Sequence, residues 1–336
     1  MNRGERNTHR FAIFLSICIL LLITAGSFVT STDSGLAVPD WPNTYGENLF
    51  LFPFSKWIGG IFYEHFHRLI ASAVGLFTII LAILLKKYEP QKFVVNLGYL
   101  AIFVVILQGV LGGLTVLFLL PPAISISHAT LAQTFLCIAT SIAFFTSSFW
   151  KEERLNFNIE VGKKYYRFAI LVFCAVFLQL IFGATMRHFK SGLAVADWPL
   201  AFGEIFPSLD ENSILEYNNQ LINQNVRLFA DGTITWYQLL THMLHRTWAY
   251  FVSFGIIFLV YKILKNKILS QPIKNVSYFL ILILITQFTL GVLTVLTKKY
   301  FIIASIHVTF GALTLAVTLI LLLMIYKNNK SKIISL

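Results

Sequence analysis

Long apolar runs, each of about twenty residues, recur along the whole chain and alternate with short polar stretches. These runs begin near positions 11, 63, 93, 125, 166, 240, 275 and 302. A helix of about twenty residues is about 30 Å long, which matches the hydrocarbon core of a bilayer. Because isolated strands and loops leave backbone groups unsatisfied in lipid, the pattern predicts eight transmembrane helices.

Composition supports this prediction. Of the 336 residues, 57% are hydrophobic and only 12% are charged, and 32 are phenylalanine. Soluble domains have a larger charged fraction, because their surfaces face water. The expected fold is therefore an all-α polytopic membrane protein.

The lysines and arginines are distributed unevenly between the predicted loops. With the N-terminus inside, most of the 26 Lys and Arg residues lie on the cytoplasmic side, as the positive-inside rule requires. We therefore expect a bacterial plasma-membrane protein with both termini in the cytoplasm. The net charge of +11 is then mainly a topology signal, and no basic patch interleaved with aromatic residues predicts a nucleic-acid partner.

The two halves of the chain repeat one another, and a repeat of this length determines the architecture. The matching stretches are GSFVTSTDSGLAVPDWPNTYGE (26–47) with GATMRHFKSGLAVADWPLAFGE (183–204), LQGVLGGLTVL (from 107) with TQFTLGVLTVL (from 286), and SISHATLAQ (from 125) with ASIHVTFGA (from 304). The first predicted span thus corresponds to the fifth. Although the N-terminus resembles a secretory signal, this mid-chain counterpart predicts that the first span is retained.

Each half contributes four helices that start from the same side of the membrane. We expect two tandem, pseudo-symmetric four-helix bundles, with domains at 1–155 and 156–336. A long segment, expected on the outer side, joins the first two spans of each half; we name these the first connection (30–62) and the second connection (187–239). The second contains an additional polar stretch, LDENSILEYNNQLINQNVRLF, for which we expect an interfacial helix.

Four of the eight histidines stand at matched positions near the expected outer ends of spans. His67 and His245 lie in the second and sixth spans, and His128 and His307 lie in the fourth and eighth. Ionisable residues are costly inside a membrane and mark functional sites. A lone membrane histidine more often bonds a neighbouring helix, but two pairs at equivalent depth favour one shared function.

Two imidazoles that face one another across a bundle can bind a metal-containing group. A zinc site normally requires a third and a fourth ligand, and no cysteine or acidic cluster converges on either pair. A haem requires only two axial nitrogens and an apolar slot, which an aromatic-rich bundle provides. The residues therefore predict two haem sites, with iron bound by His67 and His128 in the first half and by His245 and His307 in the second.

One substitution separates the two halves. EHFHR, in the second span, contains Glu64, whereas in HMLHR the equivalent residue is His242. Glu64 and His67 are three residues apart and share a helix face, while His65 points elsewhere and is interpreted as a bystander. For His242 we expect a polar contact with a haem propionate or with the second connection.

The arginine after each ligand allows two interpretations. Arg68 is four residues after Glu64, the spacing of a helical ion pair. Alternatively, Arg68 and its counterpart Arg246 are possible contacts for haem propionates. The sequence leaves both interpretations open.

Together, these residues resemble the heme A synthase family, eight-helix membrane enzymes of cytochrome oxidase assembly. The likeness extends from about Phe11 to Tyr326. It depends on the E-x-x-H-R motif, the second H-R pair, the single histidines His128 and His307, and the two S-G-L-A-V-x-D-W-P segments. Each motif alone is weak, but their order, duplication and spacing are specific.

The resemblance implies a reaction and a division of labour. Heme O is the implied substrate, received from heme O synthase, and its C8 methyl group is oxidised to the formyl group of heme A through hydroxylated intermediates. The first half holds the substrate between His67 and His128, with Glu64 catalytic as a proton acceptor or as a stabiliser of positive charge. The second half holds a heme b cofactor between His245 and His307, which passes electrons to an acceptor that stays open.

The chain departs from the family in two respects. Some members carry a cysteine pair in the first connection, whereas residues 30–62 contain no cysteine, so a mechanism that uses that pair does not apply. Many members also carry a basic residue near the position of Ser31. Here only the second half has one nearby, Arg187.

Two other functions fit part of the pattern. A dihaem electron carrier of cytochrome b type also needs four axial histidines, but it does not require Glu64 and would gain from haems at two depths. A transporter is favoured by helices broken near the midplane, for which Gly109, Gly112 and Gly113 are the only hint. Formation of a homo-oligomer stays open.

Overall fold

A computed structural model describes residues 1–151, 159–226, 233–267 and 269–330. In these ranges the chain forms ten α-helices, one short 3-10 helix at Phe54–Lys56 and two isolated β-bridges. The helices are α1 (Arg3–Ser31), α2 (Gly60–Tyr88), α3 (Lys92–Leu117), α4 (Pro122–Phe145), α5 (Ser148–Lys151), α6 (Ile159–His188), α7 (Glu211–Asn223), α8 (Trp236–Lys265), α9 (Gln271–Leu296) and α10 (Phe301–Lys330).

Within the described ranges, eight helices, all except α5 and α7, are long and apolar enough to cross a membrane. This confirms the prediction of an all-α, multi-pass membrane protein. The largest difference in a predicted start concerns α1, which begins at Arg3 instead of near position 11. Asn2 and Glu5 cap each other, since the Glu5 amide donates to Asn2 Oδ1 at 2.9 Å and the Asn2 amide donates to Glu5 Oε2 at 3.1 Å. Such a capping box stabilises helix in a polar stretch that hydropathy does not detect.

The eight spans pack into two rings of four helices. In the first ring α1 contacts α2, α2 contacts α3, α3 contacts α4, and α4 contacts α1; α6, α8, α9 and α10 close the second ring in the same way. The rings meet along a surface that we call the seam, where α10 contacts α1 and α4 and where α4 contacts α6. The assignment of residues 1–155 and 156–336 to separate domains stays a prediction, and its boundary lies outside the described residues.

Each ring encloses an apolar core, and each core takes side chains from across the seam. Ala312 and Ala316 of α10 pack into the core of the first ring. Phe144 of α4 packs into the core of the second. Since small residues allow close approach between membrane helices, the two alanines let α10 lie directly against the first ring.

Hydroxyl groups also cross the seam. The Oγ1 atoms of Thr24 on α1 and Thr309 on α10 are 2.9 Å apart. Ser27 donates to the backbone oxygen of Ser305 at 3.3 Å, and Ser305 Oγ donates to Ser31 Oγ at 3.1 Å. Interhelical hydrogen bonds in membranes contribute about 0.6 kcal/mol each. Packing and several weak polar contacts therefore hold the rings together.

The two connections share backbone features at positions that the repeat aligns. Left-handed φ angles occur at Asp33 (52°) and Lys190 (57°), and again at Tyr45 (51°) and Phe202 (54°). An isolated bridge forms at the matched place in each connection, Thr44 with Glu47 and Ala201 with Glu204. The aligned sequences thus fold locally in the same way.

The additional polar stretch of the second connection forms α7, which confirms that it is helical. Asp210 caps this helix and accepts from the Ser213 amide at 3.0 Å. Hydrogen bonds from Ser208 and Ser213 hold the pKa of the Asp210 carboxyl well below its usual range. Tyr217 and Leu221 of α7 pack with buried residues of the second connection. The last residues of the stretch, 227–229, lie outside the described part of the chain.

Gly113 on α3 provides a test of how the first connection packs. A Cβ there would lie 2.5 Å from the Trp41 indole, whereas a Cβ at Gly109 on the same helix would meet no atom within 4 Å. We expect Gly113→Ala to displace the indole and to lower the free energy of unfolding by about 1–3 kcal/mol. Gly109→Ala is the matched control and should be neutral or stabilising, because alanine favours helix. Thermal unfolding in detergent measures both variants, and equal unfolding temperatures would contradict the packing of Trp41 on α3.

Candidate functional site

The four histidines of the sequence prediction lie on two helices of each ring. His67 is on α2 and His128 on α4, while His245 is on α8 and His307 on α10. In the first ring α2 and α4 are diagonal, and in the second ring α8 and α10 are diagonal. Each pair therefore spans the interior of one four-helix ring.

A glycine on the neighbouring helix faces each of these imidazoles. The pairs, with the distance from an added Cβ to Cε1 of the imidazole, are Gly26 with His67 (3.0 Å), Gly112 with His128 (3.2 Å), Gly183 with His245 (3.0 Å) and Gly291 with His307 (3.0 Å). A larger side chain would push against the imidazole, so the glycines make room for the four side chains. Sequence reasoning missed this, although the glycines align in the repeat.

Unpartnered polar atoms mark the first pair. Nδ1 of His67 and Nδ1 of His128 are buried and have no hydrogen-bond partner. Buried polar atoms without a partner are rare and costly, and a bound group is one physical reason for them. Imidazoles on diagonal helices, glycines that leave room for them and buried ring nitrogens together fit a group that takes two axial histidines, as haem does.

Glu64 joins the first connection to α2, one turn before His67. Its side chain is buried, with the residue 4% exposed. Oε1 lies 2.6 Å from Nη2 of Arg68, which is the ion pair that the sequence left open as one of two interpretations. Oε2 accepts from the Val38 amide at 2.8 Å. The carboxylate therefore sits between a guanidinium group and a backbone N–H.

His242 holds the second connection from the equivalent position. It is buried, and its Nδ1 donates to the Ser191 carbonyl at 2.9 Å. This confirms contact with the connection, one of the two partners expected for His242. Glu64 accepts a hydrogen bond from its connection, whereas His242 donates one. From matched helix positions, the two side chains thus hold their connections through hydrogen bonds of opposite direction.

Arg68 binds backbone carbonyls of the first connection in addition to Glu64. Its two terminal nitrogens donate to the oxygens of Asp40, Asn43 and Val38 at 2.7, 2.8 and 2.9 Å. One guanidinium group therefore holds the S-G-L-A-V-x-D-W-P segment against α2. Sequence reasoning missed these acceptors, because backbone carbonyls have no residue signature.

Arg246 acts on the second connection in the same way. Its terminal nitrogens donate to the backbone oxygens of Asp197, Pro199 and Leu200. A contact between either arginine and a haem propionate stays a prediction. In the structure both guanidinium groups are occupied with the connections.

Asp40 fixes the turn that Arg68 binds. Its carboxylate accepts from the backbone amides of Tyr45 and Gly46, each at 2.8 Å. Partial burial acts to raise the pKa of Asp40, but these hydrogen bonds and the Arg68 guanidinium outweigh it and hold the pKa below its usual range. Asp40 is thus an ionised part of the connection.

His65 takes no part in the histidine pairs, as predicted, but its side chain contacts the first connection. It is buried, and Nδ1 lies 3.0 Å from Thr44 Oγ1. Its ring centroid is 4.6 Å from that of Trp57 and 5.0 Å from that of Phe52. His65 therefore anchors the first connection on the face of α2 that the pair does not use.

Arg187 crosses the seam from α6 to α1. Its Nη2 donates to the Ser27 carbonyl at 3.0 Å and to Ser31 Oγ at 2.5 Å. A basic group therefore does lie beside Ser31, but the second half supplies it. Nearby, burial lowers the pKa of Lys299 while Asp33 opposes that shift.

Two of the three α3 glycines that favoured a transporter in the sequence make room for neighbouring side chains. Gly112 faces His128, and Gly113 faces Trp41. The helix is continuous from Lys92 to Leu117. These glycines therefore serve close packing, and α3 is unbroken where they lie.

Comparison with known proteins gives one consistent result. The model of the COX15-CtaA family, described as cytochrome oxidase assembly protein, matches residues 9–319. The heme A synthase of Pelagibacter ubique is 28% identical over 349 residues, with 94% of this chain and 95% of the relative covered. The heme A synthase of Halalkalibacterium halodurans is 26% identical over 334 residues, with 97% and 99% covered. The heme A synthase of Alkalihalophilus pseudofirmus is 28% identical over 247 residues, with 73% and 81% covered.

The space that the glycines leave for the imidazoles predicts how much haem the protein retains. A methyl group at Gly183 would displace the His245 ring, so we expect Gly183→Ala to lower haem content or affinity about 10- to 100-fold, the usual cost of disturbing the support of a metal ligand. Gly255→Ala is the matched control, because its Cβ would make only an ordinary contact with Val172, at 3.6 Å. The ratio of haem to protein, measured from the absorbance of the purified variants, tests this prediction. Equal haem content in both variants would contradict the role of Gly183.

Proposed function

Because the chain belongs to the COX15-CtaA family of cytochrome oxidase assembly proteins, we propose that it is a heme A synthase, a membrane oxidoreductase that converts heme O to heme A. Relatives with this name cover nearly the whole chain. The observation that carries the proposal is the presence of two diagonal histidine pairs of which, among the residues that the structure describes, only the first has a buried carboxylate, Glu64, one helical turn before a ligand position. A reaction centre and an electron-transfer centre would differ in this way.

In this proposal the first ring binds the substrate. Heme O lies between His67 and His128, whose Nδ1 atoms are buried without a partner. Gly26 and Gly112 leave room for the two imidazoles. The enclosure by four apolar helices excludes bulk water from the reacting methyl group, which strengthens electrostatic interactions there.

The second ring holds heme b between His245 and His307. When bound, heme b supplies one-electron transfer. Gly183 and Gly291 give these imidazoles the same space as in the first ring. His242 holds the second connection but adds no carboxylate, so this ring keeps the ligands without the acidic group.

The proposed reaction oxidises the C8 methyl group of heme O to a formyl group. With water as the oxygen source, each of two hydroxylations would release two electrons and two protons. The electrons would pass one at a time through the heme b held by His245 and His307 to an external electron acceptor, and the geminal diol would then lose water to give the aldehyde. Glu64 accepts a proton or stabilises positive charge that develops at the oxidised carbon. Arg68 and the Val38 amide hold the carboxylate at one place on α2, so it needs little reorganisation during the reaction.

The location and the partners of the protein complete the proposal. We place the protein in a bacterial plasma membrane with both termini in the cytoplasm and the histidine pairs near the outer face, following the distribution of Lys and Arg. Heme O synthase is the donor of the substrate, and the lipid bilayer is the medium through which heme O arrives. Association into a homo-oligomer is compatible with this arrangement.

A dihaem electron carrier of cytochrome b type is the second candidate. The observation that favours it is that both oxygens of Glu64 already have structural partners, Arg68 and Val38. On that interpretation Glu64 only holds the first connection, as His242 holds the second. The two candidates therefore differ in whether the charge of Glu64 is needed for formyl formation.

Glu64→Gln separates chemistry from the structural contact. The amide oxygen can still accept from Val38, but the negative charge is gone. We expect haem binding to persist and heme A formation to fall about 10²- to 10⁴-fold, the usual contribution of a group that transfers protons. Co-expression with a source of heme O, followed by extraction of the haems and identification by mass, measures the product.

His242→Gln is the matched control, since it alters the same position of the other half and leaves Glu64 intact. It should form heme A at close to the normal rate. A normal rate in Glu64→Gln would exclude the catalytic role of Glu64. Absence of heme A and of its hydroxylated precursor from the unsubstituted protein would favour the electron carrier.

A further inference from the structure

Each glycine that faces an imidazole has a matched residue four positions earlier on the same helix. These residues are Leu22 for His67, Gln108 for His128, Gln179 for His245 and Gln287 for His307. The Gln287 carbonyl lies 3.2 Å from His307 Nδ1. Residues four apart lie on one face of a helix, so each of these residues shares a helix face with its glycine.

Three of these four positions are glutamine, and their side chains share an unusual property. The Oε1 atoms of Gln108, Gln179 and Gln287 are all buried without a hydrogen-bond partner. Such atoms are rare in folded proteins. Three occurrences at one repeated position indicate a common function.

Two of these glutamines bind the residue that carries the imidazole. Gln179 Nε2 donates to the His245 carbonyl at 3.1 Å and lies 3.2 Å from Nδ1 of that ring. Gln108 Nε2 donates to the His128 carbonyl at 3.0 Å and lies 3.4 Å from Nε2 of that ring. The amide thus rests against the imidazole and limits its rotation.

The fourth position differs from the other three. Leu22 stands four residues before Gly26, and its side chain has no hydrogen-bonding group. His67, which faces Gly26 of the same helix as Leu22, is therefore the only one of the four imidazoles without a glutamine at this position. It is also the one that shares its helix turn with Glu64.

We propose that Gln179 is a positioning residue that fixes the His245 imidazole as an axial ligand, and that Leu22 leaves His67 as the most weakly fixed ligand, so that the first ring releases its haem and the second retains it. The proposal deepens the proposed function, on which it rests. Groups that orient a metal-binding histidine tighten its bond to the metal and tune the redox potential. A substrate site must release its product, whereas a cofactor site must not.

Two reciprocal variants test the proposal, Gln179→Leu and Leu22→Gln. Both are studied as full-length protein loaded with haemin, and the readouts are the rate of haem loss to an excess of a soluble haem-binding protein and the electron paramagnetic resonance spectrum of the ferric form. The spectrum reports the relative orientation of the two axial imidazoles. It would not change if Gln179 only stabilised the fold.

We expect Gln179→Leu to accelerate loss of the slowly released haem about 10- to 100-fold and to alter its spectrum. Leu22→Gln should slow loss of the rapidly released haem by a similar factor and leave the other haem unchanged. Gln91→Leu is the control, because Gln91 also bonds another side chain, Trp150 Nε1 at 3.0 Å, but lies at the opposite end of the spans. It should change neither readout.

Unchanged haem loss and an unchanged spectrum in Gln179→Leu would overturn the proposal, and so would unchanged loss in Leu22→Gln. Loading with haemin does not depend on formyl formation. If the protein binds two haemins but makes no heme A, the proposed reaction is wrong, and the haem-loss measurements still test the role of Gln179. If the glutamine variants behave as the unsubstituted protein does and heme A is formed, only the positioning role fails.

Discussion

An imidazole inside a membrane-crossing helix needs room, and in this protein the neighbouring helix provides it. Glycine removes the side chain that would occupy the space of the ring, and for His307 the Gln287 carbonyl one turn earlier lies 3.2 Å from Nδ1. Water cannot supply a missing hydrogen bond in the hydrocarbon core. The separation between adjacent helices is therefore determined at four places by the need to house a histidine.

The connections depend on the same helices for their own polar groups. Each contains a turn whose backbone oxygens point to an arginine one residue after a histidine of a pair, Arg68 or Arg246. Glu64 and His242 add one more hydrogen bond each. Since either polarity satisfies a backbone group, a carboxylate and an imidazole can serve equally well as structural contacts. The exchange of Glu64 for His242 between the halves therefore requires little change in the fold.

The sequence predicted the features that depend on length, periodicity and repetition. The eight spans, the presence of α7, the Glu64–Arg68 pair and the assignment of His65 to another face follow from helical spacing. The alignment of the repeat also placed the four histidines at matched positions, and in the structure they lie on diagonal helices of the two rings. The early start of α1 was not predicted, because capping by Asn2 and Glu5 leaves no apolar signal. The targets of Arg68 and the path of Arg187 were also missed, because both arginines donate to backbone carbonyls.

The contacts of Arg187 with Ser27 and Ser31 make the two halves unequal. The repeat aligns Thr30 with Arg187, so only one copy carries the guanidinium group that crosses the seam. A protein built from two second halves would bring two like charges to the seam, and one built from two first halves would bring none. Each half therefore needs the other half, and not a second copy of itself, to form this contact.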